Sequence, residues 1–206
     1  MLEQIHIRRI DVEDAQIAQE FLFKMVKKLF NTDENPLYHN DIINLNEVYI
    51  DNKKNALVGA FNESRELIGT IAVKQFVDRF KVLEGVYREE VTAELGRCYI
   101  DESLRRQGIG SLLLEEIFQF CKEIGYEKIY LHTHRHLPGG FDFWKKKGFV
   151  IIVEDDGFGM SEETIMKSWL IISYSQKRQL KEAKKTTSKG RTPLGDKGLG
   201  RLSTQR

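Results

Sequence analysis

The stretch that most limits how this chain can fold lies near its middle, where Val91 to Ile100 alternates loosely as a strand and Leu113, Ile117, Phe120, Cys121 and Ile124 come after it at helical spacing. Between them stands Asp101-Glu102-Ser103-Leu104-Arg105-Arg106-Gln107-Gly108-Ile109-Gly110. A strand therefore runs through a basic turn with two glycines directly into an amphipathic helix. The first N–H groups of a helix have no intrahelical partner, and its dipole is positive at that end. Without a Cβ, Gly108 and Gly110 let an anion approach the chain. The dipole alone contributes only about 0.3–1 kcal/mol per exposed charge, so tight binding needs several N–H donors together with Arg105 and Arg106.

Periodicity gives the remaining elements. Ile5, Ile7 and Ile10 open a first strand, and Ile17, Phe21, Met25, Val26 and Phe30 mark a helix over 12–30. Asn31 to Pro36 reads as a break, with a second helix at His39 to Asn46. Ala56–Phe61 and Leu67–Phe76 form a hairpin about Asn62-Glu63-Ser64-Arg65, and the helix after the glycine turn stops at Gly125. Further strands are expected at Lys128–His134, Phe149–Val153 and Thr164–Ser173, with a short helix at Phe141–Lys147. This order predicts an α/β fold with a mixed, largely antiparallel sheet of about seven strands flanked by about four helices.

Of the 206 residues, 41% are apolar and 31% charged, enough for a core and against disorder of the whole chain. The charge is unevenly placed. Residues 177–206 hold ten basic side chains against Glu182 and Asp196, leaving 22 basic and 29 acidic for residues 1–176. We expect a domain over 1–176 and a basic, flexible tail over 177–206, since the tail lacks aromatics and has only four scattered leucines. Nucleic acid is not expected as a partner except through that tail. No apolar run approaches the roughly 20 residues of a membrane span, and the N-terminus lacks a secretory pattern, so the expected setting is cytoplasmic. Cys98 and Cys121 are too few for a disulfide scaffold and are expected to be reduced.

Other glycine loops fit poorly. A nucleoside-triphosphate loop needs Lys-Ser/Thr after its last glycine, where this chain has Ser111-Leu112. A dinucleotide fingerprint needs a third glycine, where Leu113 stands. The Arg-x-x-Gly-x-Gly pattern at 105–110 instead resembles the GNAT superfamily of acyl-CoA-dependent N-acetyltransferases, and Phe143-Trp144-Lys145-Lys146-Lys147-Gly148-Phe149 is similar to the family's F-Y-x-x-x-G-F segment. The resemblance covers roughly residues 5–174.

It implies acetyl-CoA as the acyl donor and an amine as acceptor. The backbone of Cys98, Tyr99 and Ile100 would pair with the pantetheine arm, and Arg105, Arg106, Gln107, Gly108, Ile109 and Gly110 would hold the pyrophosphate. Catalysts are expected where the strands before and after the long helix part, with Glu94, Tyr130, His132 and His134 as candidates. An alkylammonium is neutral in only about one molecule in 2,500 at pH 7, a penalty of about 4.6 kcal/mol that a base must help overcome. Glu94 is the first choice for that base, with His134 as auxiliary. His132, His134 and His136 would share one face of a continuing strand, but the resembled family needs no metal and none is assigned. Residues 28–50 and 77–90 are expected to wall the acceptor.

Two positions depart from the family pattern: Trp144 replaces a tyrosine able to protonate the leaving thiolate, and Leu137 replaces an asparagine that touches the cofactor arm. They keep open a second reading, a CoA-binding regulatory or interaction module without turnover. The acceptor's identity and the oligomeric state, for which a homodimer is one option, are not read from the sequence.

Overall fold

In the computed structural model, residues 4–79, 85–133 and 139–150 are described. They divide between two compact units, one holding 4–78 and 85–141, the other 79 and 142–150. The expected strand at Thr164–Ser173, the basic segment 177–206, His134, His136 and Leu137 lie outside the described residues.

The first unit is built on five strands in the order of the chain: β1 (His6–Arg9), β2 (Ala56–Phe61), β3 (Leu67–Gln75), β4 (Thr92–Ile100) and β5 (Lys128–Leu131). The first four pair antiparallel and β4 pairs with β5 parallel, so the sheet is mixed and largely antiparallel. Among the described residues there are five strands, not seven. Phe149 and Val150, expected to begin the sixth, are not in a strand.

Alternation along the strands separates the two faces. Leu57 and Ala72, which are cross-strand partners, join a buried cluster with Ala18, Leu22, Met25 and Val26 of α1 (Ala15–Phe30). The neighbouring pair, Val58 and Ile71, points the other way, toward the long helix Ile109–Ile124, which packs on β1 to β4 with Leu113, Leu114, Ile117 and Phe120 buried. Arg8 and Arg9 obey the same rule. Arg8 pairs with Asp14 at the start of α1 and lies over Phe61, whereas Arg9 reaches Glu116 and Glu123 of the long helix and lies over Phe120.

The start of the second helix, the buried stripe of α1 and the end of β5 differ from expectation. The second helix, α2 (Pro36–Ile43), starts earlier because Asn35-Pro36 is a start signal and not a break. The Asn35 side chain accepts from the Leu37 N–H at 2.9 Å, and Pro36 occupies the first helical position, where no N–H is needed. A π-helical turn (Asn46–Ile50) comes next, and the long helix Ile109–Ile124 is α3. In α1, the expected Ile17 and Phe30 are substantially exposed, and Ala18 and Leu22 join the buried stripe instead. β5 ends at Leu131, so His132 does not continue the strand.

In the second unit, Trp144 of α4 (Gly140–Lys146) meets Phe143 and Phe149 edge-on, with ring centroids 4.8 and 5.3 Å away. No described helix is long and apolar enough to cross a membrane.

Replacing Ile117, fully buried on α3, by alanine should cost about 2–5 kcal/mol in urea denaturation, because the sheet cannot collapse into the space left. Leu112→Ala, on the exposed side of the same helix, should stay within about 0.5 kcal/mol.

Candidate active site

The site begins where β4 outruns β5. Their parallel ladder joins Thr92 to Lys128, Ala93 to Ile129, Glu94 to Tyr130 and Leu95 to Leu131, and then ends. From Gly96 to Ile100, β4 is paired with β3 alone among the described residues, which leaves one edge of its backbone without a strand partner among them.

The same segment is bulged. Thr70 faces Tyr99 while Ala72 faces Gly96, so two steps along β3 match three along β4. Arg97 absorbs the extra residue in a left-handed conformation, φ 48°, and its carbonyl accepts from the Thr70 hydroxyl at 2.9 Å. Gly96, a glycine inside a strand pattern, is the sequence signal for this bulge.

The Arg97 side chain turns into a network with no local sequence signal, because its partners lie more than fifty residues away. Its guanidinium donates to both carboxylate oxygens of Asp41 at 2.6 and 2.9 Å and to the Tyr38 carbonyl at 2.9 Å. The Tyr49 hydroxyl donates to the same carboxylate at 2.6 Å. Burial alone would push the Asp41 carboxyl up, but the hydrogen bonds and charge of Arg97 outweigh it and hold the group below the usual carboxylate range. Nearby His39 is held down by burial and then by the Arg97 charge, and its Nδ1 accepts from the Asn35 N–H at 3.1 Å.

Glu94 pairs with Lys74 in the β3–β4 register and is only 6% exposed. Its Oε1 is 3.8 Å from Nδ1 of His132, beyond direct hydrogen-bond distance but within reach of an ion pair once the imidazole is protonated. Tyr130, beside Glu94 in the register, packs within 5.5 Å of the Phe76 and Tyr87 rings. Thus His132 and Tyr130 come together with Glu94, while His134 lies outside the described residues.

Cys98 is a poor nucleophile. Burial pushes its thiol up to about 12 and that of Cys121 up to about 11.

Beyond β4 the chain is tied down before it turns. The Asp101 N–H donates to the Ile68 carbonyl, and its side chain accepts from the N–H and hydroxyl of Ser103. Arg105 is extended, Arg106 is left-handed at φ 65°, and Gly108 caps α3 at φ 87° with open space where a Cβ would stand. Ser111 and Leu112 donate back to the Gly108 carbonyl, whereas Ile109 and Gly110 precede the first intrahelical partners. No side chain of the cap residue accepts from this helix. The Arg105 N–H donates to the Glu102 carbonyl, but among the described residues the N–H groups from Arg106 to Gly110 have no backbone partner, and they follow the part of β4 that lacks a β5 partner there.

The sequence matches the acetyltransferase (GNAT) family over residues 18–149, more than half of the chain, and the protein belongs to that family. Solved structures agree in fold. A GNAT-family acetyltransferase of Staphylococcus aureus Mu50 superposes with a TM-score of 0.59 at 22% identity, covering 76% of this chain and 89% of that one. The PaiA N-acetyltransferase of Thermoplasma acidophilum, in complex with coenzyme A, gives 0.54 at 24% identity over 74% and 94% of the two chains. An aminoglycoside acetyltransferase from an uncultured soil metagenomic sample, in complex with sisomicin, gives 0.55 at 20% identity over 76% and 95%. Among curated proteins, none matches.

At pH 8 native Cys98 should react with iodoacetamide roughly a thousandfold more slowly than an ordinary cysteine, and Cys121 roughly a hundredfold more slowly. Unfolding in urea should restore the ordinary rate at both. Peptide mass spectrometry reads the two sites separately, and fast native alkylation of Cys98 would contradict its desolvated setting.

Proposed function

We propose that this acetyltransferase moves the acetyl group of acetyl-CoA to a primary amine by direct attack in a ternary complex. The observation that carries the reading is the continuity of a bulged strand edge, unpaired among the described residues, with a helix N-terminus that has no side-chain cap. A CoA thioester is an extended amide-bearing arm joined to a pyrophosphate, and each half matches one part of that surface. The backbone of Cys98, Tyr99 and Ile100 pairs with the arm, and Arg105, Arg106, Gln107, Gly108, Ile109 and Gly110 hold the phosphates. A coenzyme A complex among proteins of the same fold agrees with this donor.

Glu94 is the base. Acting directly or through water, it takes a proton from the incoming ammonium, and the free amine attacks the thioester carbon. The tetrahedral intermediate then expels the CoA thiolate, which leaves readily as the conjugate of a thiol with pKa near 8.5. His132, the more exposed partner of Glu94, joins His134, which lies outside the described residues, as a histidine for passing the proton to solvent. The acidic balance of residues 1–176 favours a cationic acceptor, and these residues form the transferase domain with 177–206 as a basic extension.

Trp144 supports the second reading, a CoA-binding module without turnover, since an indole N–H is not an acid for a thiolate. Glu94→Gln separates the two. With a productive acceptor amine, kcat/KM should fall by about 10²–10⁴ while CoA affinity by calorimetry stays unchanged. A wild-type protein that binds CoA but acetylates no amine across a broad panel would favour the module.

Gly108→Glu tests the donor site separately. It places a carboxylate and a strained left-handed residue in the proposed cradle, and it should abolish thermal stabilisation by CoA. For the wild type, that stabilisation is about 2.7 kcal/mol at 100 times Kd. Undiminished stabilisation of the variant would remove the phosphates from this loop.

A further inference from the structure

We propose that Asp41 and Arg97 form a positioning pair that holds the β4 bulge in register for the pantetheine arm and joins it mechanically to the acceptor wall. The inference rests on the donor site proposed above and gives the pair a role that acts through the strand.

Arg97 is the one residue of β4 with a left-handed backbone, at φ 48°. A non-glycine residue there is strained, and it persists only where the surroundings over-determine it. Here the surroundings do so from two sides. Thr70 fixes the Arg97 carbonyl from β3, while Asp41 and the Tyr38 carbonyl fix the guanidinium from α2. Cys98 to Ile100 come immediately after, so their N–H and C=O directions are set by the torsion angles at Arg97.

The other end of the pair is equally constrained. Asp41 lies near the end of α2, and its carboxylate is shared with Tyr49, which is buried in the π-helical turn over Asn46–Ile50. A π-turn adds a residue to a helix and re-aims its side chains. In this one the Asp51 N–H reaches back to the Asn46 carbonyl at 2.9 Å, and the Tyr49 hydroxyl meets Asp41. Residues 38–50 are thereby coupled to the donor strand through a carboxylate–guanidinium contact whose side chains are only 10% and 18% exposed. A buried bidentate pair resists bending much more than a surface pair does, because separating the charges leaves both desolvated.

Calorimetry on the full chain with two probes tests this. CoA spans arm and phosphates, whereas adenosine 3′,5′-bisphosphate keeps the nucleotide and its two phosphates but lacks the arm together with the outer phosphate that joins it. Arg97→Lys keeps the charge but loses the two-pronged contact, and Tyr49→Phe removes one hydrogen bond from the carboxylate with little change of volume. The expected result is a rise of about tenfold in the CoA Kd for Arg97→Lys and a smaller rise for Tyr49→Phe, with the bisphosphate Kd unchanged for both. Where turnover is measurable, KM for acetyl-CoA and for the amine should rise together. A purely structural role would lower the melting temperature and leave both constants of the folded fraction alone, and that outcome overturns the proposal. Equal weakening of both probes overturns it too, since it would mean general loosening. If the wild type binds the bisphosphate but gains nothing from the arm, or binds neither, the donor site itself is wrong, a failure visible before any variant is made.

Discussion

The site depends on one constraint in β4, which is bonded on both sides for only part of its length. Up to Leu95 it is an interior strand with β3 and β5 as neighbours, and beyond Leu95 it keeps β3 alone among the described residues. A strand edge inside a folded body must be satisfied by water or by something that resembles a strand. The bulge at Arg97 works against a sliding repair, because the shift in register against β3 does not extend into a regular ladder with β5. Among the described residues, this edge of β4 is therefore left without a neighbour beyond Leu95.

The helix after the strand converts this edge into a two-part surface. α3 is held by its apolar stripe, with Leu113, Ile117 and Phe120 buried against the sheet, so its N-terminus stays where the strand ends. Its dipole contributes little by itself. Convergence supplies the rest: uncapped N–H groups, a left-handed Gly108 and the two arginines of the turn meet at a point fixed by burial on one side and by Asp101 on the other. Hydrophobic packing here organises the electrostatics.

The legibility of the chain divides along the same physical line. Features encoded in short runs are readable: the hairpin about Asn62, the glycine turn, the apolar stripe of α3 and the stop at Gly125 all depend on residues within one or two turns of each other. Features that depend on distant partners are not. Asp41 and Arg97 are ordinary charged residues in sequence, and only the packing of α2 beside β4 makes them one buried unit. Asn35-Pro36 is ambiguous because the same two residues end one pattern or begin a helix, depending on whether Leu37 to Ile43 can bury a face. The choice of Ala18 and Leu22 over Ile17 for the buried stripe reflects how α1 sits on the sheet, which periodicity does not fix.

For the base role proposed for Glu94, a buried carboxylate has an advantage over an exposed one. An exposed glutamate near its ordinary range is a weak base toward an ammonium whose pKa is about 10.4, and water competes for every contact it makes. In general, a carboxylate in desolvating surroundings holds a proton more readily than one in water, which suits it to the proposed role. His132 on the solvent side offers a short route out for the proton. Tyr130, the register partner of Glu94, packs in turn on Phe76 and Tyr87. The proposed direct transfer needs no covalent enzyme intermediate, and burial pushes the Cys98 thiol up, away from the thiolate form that a competing nucleophile would need.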